Sequence, residues 1–202
     1  MITAMEIATA LRPVLVQAPN VGPLKFAHAV VDSRKAREGD LFVALRGEHA
    51  DGHDFVADAA ARGAAGAIVE RPLPAEIAQY VVPDALAALQ ELARRRRASR
   101  PQLKVVGVTG SVGKTTTKEA IAGVLSRRFT VHKNEGNLNT EIGLPLTLLE
   151  LRPDHQAAVL EIGGAYAMGE VALLAGIAQP RIGVVTNVGP SHLARMGTIE
   201  AI

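Results

Sequence analysis

The stretch GVTGSVGKTTTKEA, residues 107–120, sets two glycines three positions apart and follows them at once with a lysine and three threonines. These residue types in this order suit an anion. Glycine lets main-chain N–H groups approach an oxygen-rich ligand, and a helix opening at that point aims its dipole at the same place. Lysine adds a cation, and a threonine hydroxyl can ligate a hard divalent metal. Thr109, Gly110, Ser111, Val112, Gly113, Lys114, Thr115 and Thr116 are therefore candidate nucleotide-binding residues, with Lys114 on the outer phosphates and Thr115 on Mg²⁺. The literal pattern G-x-x-x-x-G-K-[ST] is not met, because Val108 stands where its first glycine belongs. The strand-turn-helix context points to a variant loop rather than to none.

Three further polar residues follow apolar runs. Glu161 lies in VLEIGG, Asn187 ends VVTN, and His192 comes shortly after. In an open parallel sheet, ligands gather at the carboxyl ends of the strands. An unpaired carboxylate inside the apolar run at Glu161 would be costly, and a bound Mg²⁺ would offset that cost. His192 reads as a second metal ligand or as a helix-capping histidine; its company with Glu161 and Lys114 favours the ligand. NEGNLNTEIGLPL, residues 134–146, is rich in amides. Asn137 and Asn139 are turn and cap residues, or ligand contacts.

The elements that must position these groups divide near residue 100, giving an expected first domain of residues 1–100 and a second of 101–202. The first holds expected strands at about 28–32, 41–45 and 66–70, and a helix at about 53–62 capped by His53 or Asp54. PDALAALQELARRRRASRP is a second helix ended by Pro101; its arginines 94–97 read as solvated cations complementing the helix dipole. The second domain alternates: strand LKVVGVTG, helix KTTTKEAIAGVLSRRF, a helix in EIGLPLTLLEL interrupted by Pro145, strand AAVLEIGG, helix MGEVALLAGIAQP, strand RIGVVTNVGP. That order means a parallel sheet with crossovers, and an α/β fold.

Composition narrows the classes. With 48% hydrophobic residues, 21% charged and no tryptophan, the chain suits a globular protein with an aliphatic core. A net charge of +2 argues against a nucleic-acid partner. The absence of cysteine removes thiolate chemistry and disulfides, and fits a reducing, cytoplasmic setting. The first residues do not read as a signal peptide, and no run of ~18 apolar residues offers a membrane span.

TGSVGKTTTKE, GNLNTEIGLPLTLL, LEIGG and TNVGPSHL together resemble the Mur ligases of peptidoglycan synthesis, which use T-G-[ST]-x-G-K-[ST] without the first glycine. DSRKAREGDLFVALRGEHADGHDF resembles their N-terminal domain, which holds the UDP part of the substrate. The resemblance implies a small α/β UDP-binding domain followed by a P-loop-type parallel-sheet ATPase domain, incomplete at the C-terminus. The loop NLN-x-EIG-x-PLTLL is most like that of the branch adding D-alanyl-D-alanine to UDP-N-acetylmuramoyl-tripeptide; the branch adding a diamino acid usually has a Thr-Thr-Pro motif there.

By the same resemblance, ATP and Mg²⁺ are required, and Lys114 binds the β/γ-phosphates. Thr115 and Glu161 hold one Mg²⁺, and His192 helps to hold a second. Asn137 meets the nucleotide, while Asn139 and Thr140 lie toward the substrate. Ser33, Arg34 and Arg46 fall in the UDP-binding stretch. Thr140 stands where a second asparagine is common in that branch. The family continues beyond the position of Ile202, so these 202 residues alone are expected not to complete a ligation. A monomer is expected. Rival readings are the diamino-acid ligase, a folylpolyglutamate or cyanophycin synthetase, a P-loop kinase or NTPase, and a non-catalytic UDP-sugar-binding fragment.

Overall fold

A computed structural model describes residues 1–20, 22–163 and 168–189. The chain packs as two compact units, Met1–Leu92 and Ala93–Ile202, and the division falls inside a helix.

In the first unit, β1 (Ile2–Thr3) pairs antiparallel with β2 (Lys25–Phe26). Between them runs α1 (Ala4–Leu11), whose N-terminus is capped by the Thr3 hydroxyl accepting from the Glu6 N–H at 3.0 Å. Next come β3 (Ala29–Val30), β4 (Leu41–Val43), α2 (Val56–Ala61), β5 (Gly66–Val69), β6 (Ala78–Val81) and α3 (Ala85–Ala98). The four strands form a parallel sheet in the order β3-β4-β5-β6. β4 and β5 are buried throughout, as unbroken apolar runs in parallel strands should be. Phe42, Val56, Ala59, Ala67 and Val69 pack as one apolar core. The helix expected at 53–62 is a tight 3₁₀ turn, Gly52–Phe55, running into α2. Its cap is Asp51 rather than His53 or Asp54: the Asp51 carboxylate accepts from the His53 N–H at 3.0 Å.

The second unit contains β7 (Lys104–Thr109), α4 (Lys114–Leu125), β8 (Val131–Lys133), α5 (Gly143–Leu149), β9 (Ala157–Glu161), α6 (Glu170–Ala178) and β10 (Ile182–Val185). All four strands are parallel, in the order β10-β7-β9-β8. The alternation of strand and helix thus forms the expected sheet, with one strand more than expected. β8 is only three residues long and half-buried, too short to show a period. Pro145 does not break α5, because it sits in the first turn, where a missing N–H costs nothing.

The arginine run corrects the expectation of a solvated patch. Arg94 and Arg95 are exposed, but Arg96 and Arg97 are only 8% and 7% exposed. Arg96 donates to the Leu149 carbonyl at the end of α5 (3.3 Å). Arg97 donates to Ala178 (3.0 Å) and Gln179 (3.1 Å) at the end of α6, and Arg100 to Leu151 (3.1 Å) and Arg152 (2.7 Å). Cations thus occupy the negative ends of two helices, whose last carbonyls have no intrahelical partners. Helices in such crossovers run opposite to the strands, so these contacts lie at the edge of the sheet away from the strands' carboxyl ends. Burial pulls the Arg97 guanidinium below its ordinary value without discharging it.

His132 on β8 and His155 before β9 stack at 4.7 Å, and His132 Nε2 meets the Thr147 carbonyl of α5 at 2.7 Å. His155 Nδ1 accepts from the Arg152 N–H at 3.1 Å. Both imidazoles titrate below the ordinary histidine value, His132 chiefly through burial, His155 through burial and then the neighbouring His132. The fold therefore favours the neutral rings. Their contribution is complete above the unfolded value of about 6.5 and is lost as pH falls below it toward the folded values.

Urea unfolding monitored by circular dichroism tests both the arginine contacts and the histidine pair. Arg97→Ala should cost about 2–3 kcal/mol, because it strips charged donors from buried carbonyls. Arg94→Ala should stay within about 0.5 kcal/mol. Wild-type stability should fall between pH 7 and 5, and His155→Gln should flatten part of that fall.

Candidate functional site

The candidate site is built at the carboxyl ends of β7 and β9 and on the loop before α5. β7 runs on through Val108, which is fully buried, pairs with Glu161 and packs with Val106, Ala122 and Val159. The position of the missing first glycine is thus core strand, and the turn begins only at Gly110. Gly110 has φ +131°, and a Cβ there would lie 2.2 Å from Thr186 Oγ1 and 2.8 Å from the Asn187 carbonyl. Gly113 ends the turn at φ +84° and is the N-cap of α4. Both are left-handed positions where other residues are strained.

The segment after β10 clamps this turn. The Thr186 hydroxyl donates to the Val112 carbonyl at 2.7 Å. Asn187 takes both main-chain groups of Val112, its Oδ1 accepting from the N–H at 3.0 Å and its Nδ2 donating to the carbonyl at 3.1 Å. The Ser111 N–H donates to the Asn187 carbonyl at 3.0 Å. β10 ends at Val185, so Asn187 lies just past the strand rather than closing it, and it holds the loop's backbone. Lys114 folds over the turn, its ammonium donating to the Gly110 carbonyl at 2.6 Å. Thr116 is exposed on the first turn of α4.

Thr115, Glu161 and Asn139 meet. Glu161 is 3% exposed, and each carboxylate oxygen has a donor: the Thr115 hydroxyl at 2.8 Å to Oε2, the Asn139 amide at 2.7 Å to Oε1. A buried, unpaired carboxylate at Glu161 would be costly, and these two hydrogen bonds are how the protein itself meets that cost. A carboxylate and a hydroxyl, both hard oxygen donors, therefore lie together beside the turn. Asn137 is exposed, and its carbonyl accepts from the Asn139 N–H at 2.7 Å. The Thr140 hydroxyl accepts from the Gly143 N–H at 3.2 Å, capping the entry to α5. His192 lies outside the described residues.

Two residues of the site were missed. Asn134, fully buried, and Lys118, 1% exposed, stand behind Glu161. Asn134 immediately follows β8, and its side chain engages the Glu161 backbone. Nothing in the spacing marks either one; Lys118 reads as an ordinary helix-surface lysine.

In the first unit, the three residues expected at a UDP site each engage a different carboxylate. Arg34 pairs with Asp32 at 2.9 Å, and Arg46 with Glu70 at 2.7 Å. Ser33 hydrogen-bonds Asp58 and, as the leading cause, holds it below the usual carboxylate range. The turn Ser33–Lys35 follows β3, Arg46 follows β4 and Glu70 follows β5, so all lie at the carboxyl edge of one parallel sheet. His53 braces that edge: its side chain is fully buried, with Nδ1 2.5 Å from Asp51 and Nε2 accepting from the Glu70 N–H at 2.8 Å. The backbone and side chain of His53, in that order, and Arg71 hold Asp51 down to about 2.

Known proteins are similar to this chain in sequence and fold. A profile of the Mur ligase middle domain matches residues 108–202, and a profile of the Mur ligase family catalytic domain matches residues 26–100. The chain belongs to the Mur ligase family. Among its relatives, UDP-N-acetylmuramoyl-tripeptide–D-alanyl-D-alanine ligase of Synechocystis is 44% identical over 205 residues, spanning 100% of this chain and 45% of that one. The Bacillus subtilis ligase of the same name is 44% identical over 176 residues, 85% of this chain and 38% of the other. A crystal structure of MurF from Acinetobacter baumannii superposes with a TM-score of 0.90 at 42% identity, over 99% of this chain and 44% of that one. MurF ligase from Thermotoga maritima, solved in complex with ADP, superposes at 0.77 with 41% identity, over 86% and 40%. The chain spans less than half the length of these Mur ligases.

The loop geometry makes an ordered prediction. Gly110→Ala meets both a backbone penalty and a collision, whereas Gly113→Ala meets open space and only the backbone penalty. In urea unfolding Gly113→Ala should cost about 1–2 kcal/mol and Gly110→Ala clearly more.

Proposed function

We propose that this chain carries the nucleotide and UDP-substrate sites of an ATP-dependent amide ligase of peptidoglycan precursor synthesis, joining D-alanyl-D-alanine to UDP-N-acetylmuramoyl-tripeptide. The observation that supports it most is the meeting of Thr115 and Glu161 beside the Gly110–Lys114 turn, at the carboxyl edge of a parallel sheet. Relatives bearing that ligase name are the second support.

The chemistry asked of the protein is mostly electrostatic. A carboxylate oxygen of the tripeptide attacks the γ-phosphorus of ATP, ADP leaves, and an acyl phosphate forms. The dipeptide amine then attacks the acyl carbon, inorganic phosphate leaves, and the amine proton passes to solvent. Charge accumulates on phosphoryl oxygens in the first step. The N–H groups of the first turn of α4 have no partners within the helix and face the anion's place. Lys114 would exchange the Gly110 carbonyl for phosphate oxygens. Thr115 and Glu161 would hold Mg²⁺, whose bound form neutralises phosphate charge; two protein oxygens suit an ion that keeps waters and substrate phosphates as its other ligands. Among the described residues no group of three or more His, Cys, Asp or Glu gathers as a metal site. His192 is assigned to a second Mg²⁺.

In this reading Asn137 contacts the nucleotide, and Asn139 and Thr140 lie where nucleotide and substrate meet. Ser33, Arg34 and Arg46 take the UDP moiety, the arginines exchanging Asp32 and Glu70 for phosphate. Residues 1–100 form the UDP domain and 101–202 the ATP domain of a cytoplasmic monomer. Among the described residues no helix is long and apolar enough to cross a membrane.

Phosphate release from ATP and Mg²⁺ by the complete product of the gene tests this. It should require UDP-N-acetylmuramoyl-tripeptide with D-alanyl-D-alanine, and Lys114→Ala should lower it about 100-fold or more. Release only with the dipeptide precursor and a diamino acid would assign the neighbouring ligase, and release with neither pair would sink the reading.

A further inference from the structure

β8 and β9 stay paired only as far as Lys133 and Val159. There the main chain of β8 turns away into the amide-rich loop, and β9 would lose its neighbour two residues before Glu161. The side chain of Asn134 takes over. Its Oδ1 accepts from the Glu161 N–H at 2.8 Å, and its Nδ2 donates to the Glu161 carbonyl at 3.0 Å. One amide thus meets both main-chain groups of Glu161, the N–H and the carbonyl, which two residues of a continued parallel β8 would otherwise share. The same Nδ2 donates to the Leu138 carbonyl at 2.9 Å, which ties down the loop carrying Asn139. Behind it, the Lys118 ammonium donates to the Asn134 carbonyl at 2.6 Å. Lys118 lies one helical turn from Thr115 on α4. The two donors that reach the Glu161 carboxylate, Thr115 and Asn139, therefore stand on the two segments that Asn134 and Lys118 join to β9.

We propose that Asn134 and Lys118 are positioning residues for the divalent-cation ligand Glu161: they set the direction of its carboxylate and its separation from Thr115. Neither touches nucleotide. The proposal rests on the nucleotide reading above and makes a narrower claim, that their loss weakens the metal's contribution to nucleotide binding and spares binding by the turn itself. Side chains that orient a metal ligand typically alter metal affinity by about 10- to 100-fold.

The test is calorimetric titration of ADP into this chain, with Mg²⁺ and with EDTA. Wild type should bind more tightly with Mg²⁺. In Asn134→Ala the affinity in EDTA should stay within about twofold, while the Mg²⁺ enhancement falls about tenfold or more. Lys118→Met, which keeps the buried volume, should shift the same ratio in the same direction. Asn134→Asp keeps the shape and the acceptor but loses both amide donors, so it should resemble Asn134→Ala in this ratio even if it unfolds at a different urea concentration. A purely structural role would weaken binding alike with and without Mg²⁺, and that result overturns the proposal. Enhancement unchanged in both Asn134→Ala and Lys118→Met also overturns it. Wild type that binds no ADP at all overturns the nucleotide reading together with it.

Discussion

A carboxylate at the end of a fully buried parallel strand is the constraint from which most of the second unit follows. Glu161 is almost wholly buried, so its carboxylate oxygens are met by protein donors. Thr115 comes from α4, Asn139 from the loop before α5, and Asn134 from the end of β8. The first turn of α4 and the stretch 134–139 must therefore arrive together at the end of β9. The Gly110 turn inherits its place from this, because α4 can hand Thr115 to Glu161 only if the turn ahead of it is tight. Val108, kept as strand, is what makes it tight.

The other edge of the same sheet is held by the opposite chemistry. There the guanidinium groups of α3 and of Arg100 just after it meet the buried carbonyls at and just beyond the ends of α5 and α6. The two edges use one rule in two signs: the N-terminus of α4 is left open to an anion, and the C-termini of α5 and α6 are closed by cations. The first keeps a surface available, and the second removes one. Arginine suits the closed edge because its planar fork reaches two carbonyls at once and stays charged when buried.

The chemistry-bearing residues of the loop were legible because they are local. Gly110, Gly113, Lys114 and Thr115 act within six residues of one another, and a spacing pattern records them. Glu161 was legible for a different reason, as a charge out of place in an apolar run. The fold class was legible in the alternation of strands and helices. What the sequence hides are long-range partners. The arginines of α3 look like any basic helix end until the carbonyls that they cap are known. Lys118 looks like its exposed neighbour Glu119, and Asn134 looks like the other amides of its loop, though it alone is fully buried. β8 escaped notice because three half-buried residues carry no period, and its existence follows from its pairing with β9.

The strand order has a consequence for how the protein is made. β7, which leads into the phosphate turn, lies between β9 and β10. During synthesis it leaves the ribosome well before either neighbour exists, and β9 comes out before β8 can pair with anything. α4 can form early from local contacts, and Glu161 can then take Thr115, but the turn ahead of the helix is not clamped until Thr186 and Asn187 have been translated. The turn is thus the earliest-written part of the nucleotide site and among the last to be completed. A ribosome paused before residue 186 would carry a nascent chain with the right motif and no clamp to give it shape.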